Sequence, residues 1–157
     1  MLSILAFFPC IRFEQQILLH FRGDASQMKD MSDEEKLSSD LKLQDELTKN
    51  YKLITKLAIV CLRKNIPLII ENPYSEQHYL KKYWCLKPKL IDNNRRLNGD
   101  YYIKPTQYWF INCEPKYNFI MEPLEEVEYK NVDDENTVGR SMISPQYASR
   151  FIREYIV

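Results

Sequence analysis

Residues 68–75 read Leu-Ile-Ile-Glu-Asn-Pro-Tyr-Ser, a short apolar run that ends on a carboxylate and a proline-stiffened turn. Continuous apolarity over so few residues predicts a strand buried on both faces, and the proline marks where it leaves the sheet. Just upstream, Asn65-Ile66-Pro67 stops a helix. That helix is predicted over 33–64. Ser32 and Glu35 have the spacing of a capping box, and Leu37, Leu41, Leu47, Tyr51, Ile54, Ala58 and Cys61 form the expected apolar stripe. Further upstream, residues 2–8 (Leu-Ser-Ile-Leu-Ala-Phe-Phe) repeat the buried-strand pattern and end at Pro9-Cys10. Residues 1–71 therefore read strand–helix–strand, a parallel crossover. In such sheets ligands gather where strands end at their carboxyl edge. One strand end here offers the thiol of Cys10 and the other the carboxylate of Glu71.

The rest of the chain is less regular. Helices are expected over 15–21, 77–83 and 145–157, the last with Tyr147, Phe151, Ile152 and Tyr155 inward. Residues 107–112 and 118–121 are expected as strands, 88–104 as a polar loop and 125–137 as an acidic loop. The 157 residues suggest one domain. Lys+Arg 22 against Asp+Glu 22 gives no whole-molecule attraction to nucleic acid or acidic lipid. Hydrophobic content of 45% is that of a globular chain.

The cysteines, Cys10, Cys61, Cys85 and Cys113, form no CxxC pair, so no metal site is expected. Scattered cysteines read as reduced thiols of a cytoplasmic protein. Cys61, Cys85 and Cys113 are taken as packing residues. The apolar start lacks the basic flank and cleavage site of a signal peptide, and it is too short to span a bilayer.

Cys10, held beyond regular structure by Pro9, has the setting of a nucleophile, which at neutral pH needs activation. Glu71, ending a buried strand, suits an acid with a raised pKa. Arg95, Arg96, Lys104, Lys87 and Lys89 flank Tyr101, Tyr102, Tyr108 and Trp109, a mixture that suits a phosphate-and-base surface. The same residues also fit a solvated loop over aromatic packing. His20 and His78 have no evident partner and receive no role.

Together, Phe8-Pro9-Cys10, Glu71-Asn72-Pro73, Gly99 through Trp109 and Gly139-Arg140-Ser141-Met142-Ile143-Ser144-Pro145 resemble, in order, motifs of the cytosine-5 DNA methyltransferases in their phage and prophage forms. The resemblance implies an α/β fold: an incomplete Rossmann-like class I methyltransferase core, with a mostly parallel sheet, one long helix and a C-terminal helix. It covers most of a single truncated domain, residues 1–157. It implies S-adenosylmethionine as cofactor, DNA as substrate, Cys10 adding to C6 of a flipped-out cytosine, and Glu71 contacting N3 and the exocyclic amine. Arg95, Arg96 and Lys104 would orient base or phosphate, and Asn72, Pro73 and Ser141 would lie at the cofactor.

The glycine-rich cofactor turn of that family has no counterpart upstream of Pro9-Cys10, and three strands of its usual seven-stranded sheet are lacking. The strand 2–8 would then be a bare apolar edge, which invites a homodimer or a complementary chain. Two readings follow. One is a truncated or split cytosine-5 methyltransferase-like enzyme. The other is a catalytically inactive phage-encoded binding protein, for example an inhibitor of a host defence nuclease. An amino-methyltransferase, suggested by Asn72-Pro73-Tyr74, ranks behind both because it leaves Pro9-Cys10 unexplained.

Overall fold

The computed structural model describes residues 3–7, 12–14 and 17–157. Strand β1 (Ile4–Phe7) is followed by a short helix α1 (Ile17–Phe21), then by the long helix α2 (Asp33–Arg63) and strand β2 (Leu68–Pro73). Helix α3 (Tyr79–Tyr83), strand β3 (Leu90–Asp92) and strand β4 (Thr106–Ile111) complete the sheet. Two helices, α4 (Thr137–Ser141) and α5 (Pro145–Phe151), close the chain, the latter running on into a wider π turn at Ile152–Ile156.

Helix α2 starts where the capping box places it. Ser32 Oγ accepts the Glu35 N–H at 3.2 Å, and the Glu35 carboxylate accepts the Ser32 N–H at 2.8 Å. Asp33, Glu34 and Glu35 in the first turn complement the positive end of the helix dipole. The helix ends at Asn65, which takes the left-handed backbone (φ 54°) that asparagine tolerates. Its buried stripe is Leu43, Leu47, Ile54, Ala58 and Cys61. Leu37 and Leu41, expected in that stripe, are instead 66% and 73% exposed. The apolar spacing that includes them fits a second, outward flank of the helix as well as it fits the core.

The sheet order is β1-β2-β4-β3. The expected mostly parallel sheet does not form. Only β1 and β2 run parallel, while β2–β4 and β3–β4 are antiparallel. The reason is local: the Tyr74 N–H donates to Pro105 O at 2.8 Å, so the return loop brings β4 in beside the end of β2. A strand that begins where its neighbour ends must run the other way. The fold is therefore mixed α/β with an open four-stranded sheet. β3 lies inside the segment expected to be loop; its Leu90-Ile91 pair is too short to read as a strand. Residues 118–121 do not pair as a strand. Phe119 and Met121 stand 86% and 84% exposed, while Asn118 N–H donates to Glu154 O near the C-terminus.

One face of the sheet (Leu68, Ile70, Trp109, Ile111) packs against α2, Phe13, Leu80 and Trp84. The other (Ile69, Tyr108, Phe110) is covered by Phe151 of α5. Ile152, expected inward, is 40% exposed because the wider turn after Phe151 shifts the helix phase. Cys61 is buried as expected, Cys113 is half-buried and Cys85 is exposed. No helix among the described residues is long and apolar enough to cross a membrane.

Candidate functional site

The registers gather the polar residues of interest at one end of the sheet. Phe7 lies opposite Glu71, Glu71 opposite Tyr108, and Pro73 opposite Thr106, which in turn faces Asp92. This is the carboxyl end of β1, β2 and β3. Cys10 lies outside the described residues; the described part of β1 stops at Phe7, the register partner of Glu71.

Glu71 retains only 9% of its exposure, and among the described residues its carboxyl has no hydrogen-bond partner. Burial raises its pKa above the ordinary carboxylate range. The positive charges of Lys104 and Arg95 oppose that rise, and Glu14 adds to it. A carboxyl in this state holds a proton near neutrality more readily than a solvated one.

Around it stands a hydroxyl relay. Tyr108 and Tyr147 share a 2.7 Å hydrogen bond, and the Tyr147 hydroxyl donates to Asp92 Oδ2 at 3.1 Å. Burial raises both phenols well above their usual range, so they stay neutral donors. Asp92 also accepts Asn98 Nδ2 at 2.9 Å and the Asn94 N–H at 3.0 Å.

Arg95 is buried, at 1% exposure, against a fully buried Asp100, and its Nη2 pairs with Asp100 Oδ2. The guanidinium sits 4.7 Å over the Tyr147 ring. Asp100 Oδ1 accepts the Ser144 N–H at 2.8 Å. Ser144 Oγ donates to Gly99 O and accepts the Tyr147 N–H, capping α5. Gly99 is glycine for cause: its φ is +92°, and a Cβ there would meet the Gln146 side chain at 2.9 Å. Arg95, expected as a nucleic-acid contact, is thus an internal cation that locks residues 95–100 to α5. Arg96 donates to Tyr101 O and Lys130 O and lies 4.8 Å from the Tyr129 ring centroid. Lys104 Nζ donates to Arg140 O at 2.9 Å, and the Tyr102 hydroxyl donates to Gly139 O at 2.7 Å. These two bonds bring the 139–141 segment against the loop leading into β4.

On the α2 side of the same sheet end, Asn72 is fully buried. Its Nδ2 donates to Glu71 O, and His78 Nε2–H donates to its Oδ1 at 3.1 Å. His78, also fully buried, lies between Phe13 and Trp109, and its Nδ1 has no hydrogen-bond partner among the described residues. Burial lowers its pKa to about 4. A cleft of about 360 Å³ opens beside it, between Leu18, Leu19 and Arg22 of the α1 region and the exit of β2 at Pro73, Ser75 and His78.

The residues expected at a cofactor do not assemble one. Asn72 is sealed inward with both polar atoms engaged, Pro73 O accepts Gln107 Nε2, and Ser141 is exposed at the end of α4. The chain's three glycines, Gly23, Gly99 and Gly139, form no phosphate- or ribose-cradling turn after β1 or β2. No group of three His, Cys, Asp or Glu residues able to hold a metal is found among the described residues.

Sequence reading isolated Glu71 but missed His78, Asp92, Asp100, Ser144 and Tyr147. Their signal is long-range: Asp100 and Ser144 meet across 44 residues, and nothing local marks the pairing. Comparison of the chain with protein-family models, with curated proteins and with solved structures found no match.

Proposed function

We propose that this chain is the nucleobase-handling half of a cytosine-5 DNA methyltransferase-like protein, with the methyl-donor site supplied by a partner chain. The observation that carries this reading is Glu71: a buried carboxyl with a raised pKa and no hydrogen-bond partner among the described residues, at the carboxyl end of β2. Protonated, it matches cytosine atom for atom. Its O–H donates to N3, and its carbonyl oxygen accepts the exocyclic amine. Protonating N3 draws electrons from the C5=C6 bond, so that the Cys10 thiolate can form its bond to C6.

One feature of the sheet fits a partner chain. Among the described residues β1 is paired on one side only, with Leu5 36% and Phe7 57% exposed. An edge of this kind is a template for another chain.

The test is the binding of single-stranded oligonucleotides carrying one cytosine or one uracil, which avoids the cost of flipping a base out of a duplex. A protonated Glu71 discriminates against uracil, whose N3 is a donor. Wild type is expected to prefer cytosine by about tenfold, the scale of one good bidentate pair. That preference should fade as pH rises through the Glu71 pKa. Glu71→Ala should abolish it. Glu71→Gln should keep it, because the amide offers the same donor and acceptor, but without the pH dependence. Equal affinity for the two oligonucleotides would overturn the reading. Calorimetry with S-adenosylmethionine and the chain alone should show no heat; micromolar binding would overturn the assignment of the donor site to a partner.

A further inference from the structure

Helix α2 carries a second pattern besides its core stripe. From Asp33 to Glu46 it holds six acids and two lysines, and from Leu47 to Lys64 five cations and no acid. Of the large apolar residues exposed on it, Leu53 and Val60 lie apart, whereas Leu37 and Leu41 in the acidic half and Ile59 (41%) and Leu62 (51%) in the basic half share one flank. At about 100° per residue these four fall within an arc of about 60°, roughly a quarter-turn from the buried stripe. Thr48 and Lys52 lie along or beside the same arc, and Asp45 and Lys56 border it. Single exposed leucines need no explanation. Their arrangement does, because it is symmetric about the middle of the helix.

We infer that this flank of α2 is a self-association surface, on which a second copy of the chain lays its own α2 antiparallel. With the two-fold axis near Asn50, Leu41 meets Ile59 of the second copy and Leu37 meets Leu62. Asp45 then faces Lys56, and Glu34 comes to Arg63. Each contact occurs twice, as an isologous interface requires. A parallel pairing would set the acidic halves against each other, and the charges exclude it. The helix is about 46 Å long, so the two apolar clusters are far apart and both must be met to fix the register. This surface is separate from the β1 edge, and it stands whether or not the methyltransferase-like reading holds.

The experiment is sedimentation equilibrium of the full chain at low and high salt, with variants on the exposed flank. Wild type should dimerise, more weakly at high salt because the ion pairs are solvent-screened. Leu41→Glu should weaken the dimer by about tenfold or more. Asp45→Lys and Lys56→Glu should each weaken self-association, since each sets like charges opposite one another. Mixed in equal amounts, those two variants should form a heterodimer, because every facing pair is then opposite in sign. Unchanged far-ultraviolet circular dichroism would verify that each variant keeps its helix. A wild-type monomer at ~100 μM, well above the Kd of a stable dimer, would overturn the proposal. So would a dimer indifferent to all three substitutions, which would place the contact elsewhere, or single reversals that fail to recombine.

Discussion

Asp100→Ala is expected to lower the unfolding free energy by about 3–5 kcal/mol, the cost of leaving one member of a buried ion pair alone. Both partners are essentially inaccessible, at 1% for Arg95 and 0% for Asp100. Arg95 Nε and Nη2 already lack a hydrogen-bond partner, Nη2 being held to Asp100 by charge, so the loss of Asp100 removes the counter-charge without offering a substitute. The same substitution frees the Ser144 N–H at the start of α5 and loosens residues 95–100. Urea unfolding of Asp100→Ala, Arg95→Met and the double variant separates these effects. The double variant should cost clearly less than the two singles added, because much of each single cost is the stranded charge. Single losses below about 1 kcal/mol would mean that the pair acts like an exposed one, and the lock between the loop and α5 would have to be sought in Ser144 alone.

How much of this was legible beforehand depended on the range of the interaction. The start of α2 was legible because Ser32 and Glu35 are three residues apart, and its end because Asn65 and Pro67 are local breakers. The parallel β1–β2 pair followed from two short apolar runs joined by a long helix. Beyond β2, the existence of β4 was legible in residues 107–112, but its direction and β3 were not. The direction of β4 is set by one contact between Tyr74 and Pro105, and β3 is three residues held by Tyr108, Gln107 and Thr106. The core stripe of α2 was misplaced by roughly a quarter-turn at its start, because Leu37 and Leu41 obey helical spacing as well as Leu43 and Leu47 do. At the site, Glu71 stood out by its place after three apolar residues. Arg95 read as a surface cation because a burying partner five residues on, Asp100, looks like any loop aspartate until Ser144 is brought to it from 44 residues away.

His78 gives the second large effect, with a sign that can be worked out. Its pKa is ordinarily near 6.5 and falls to about 4 in the folded chain. Burial is the cause: the ring is enclosed by Phe13 and Trp109, and among the described residues its polar contact is to Asn72. The folded state thus prefers the neutral ring, while the unfolded chain takes up a proton at ordinary acidity. Above about pH 6.5 both states are neutral, and the stability is fully present. As pH falls toward 4 the unfolded state gains a proton that the folded state refuses, and stability is lost. The span of the shift sets that loss at about 3 kcal/mol once pH is below 4. Urea titrations at pH 7, 5.5 and 4.5 should show the decline, and His78→Gln should flatten it, since its amide can still donate to Asn72 Oδ1 but takes up no proton. Glu71 works in the opposite direction: its raised pKa makes the folded state lose stability as pH rises out of the carboxylate range. The two groups sit on opposite faces of one sheet end, joined through Asn72, whose amide donates to the Glu71 carbonyl and accepts from His78. Protonating His78 adds a buried positive charge beside that junction. Acid is therefore expected to disrupt the Asn72 contact and the exit of β2 first, while the Arg95–Asp100 lock at α5 still holds. Chemical-shift changes that begin at residues 71–79 before any reach residues 95–100 and 144–147 would bear this out, and simultaneous changes in both would overturn it.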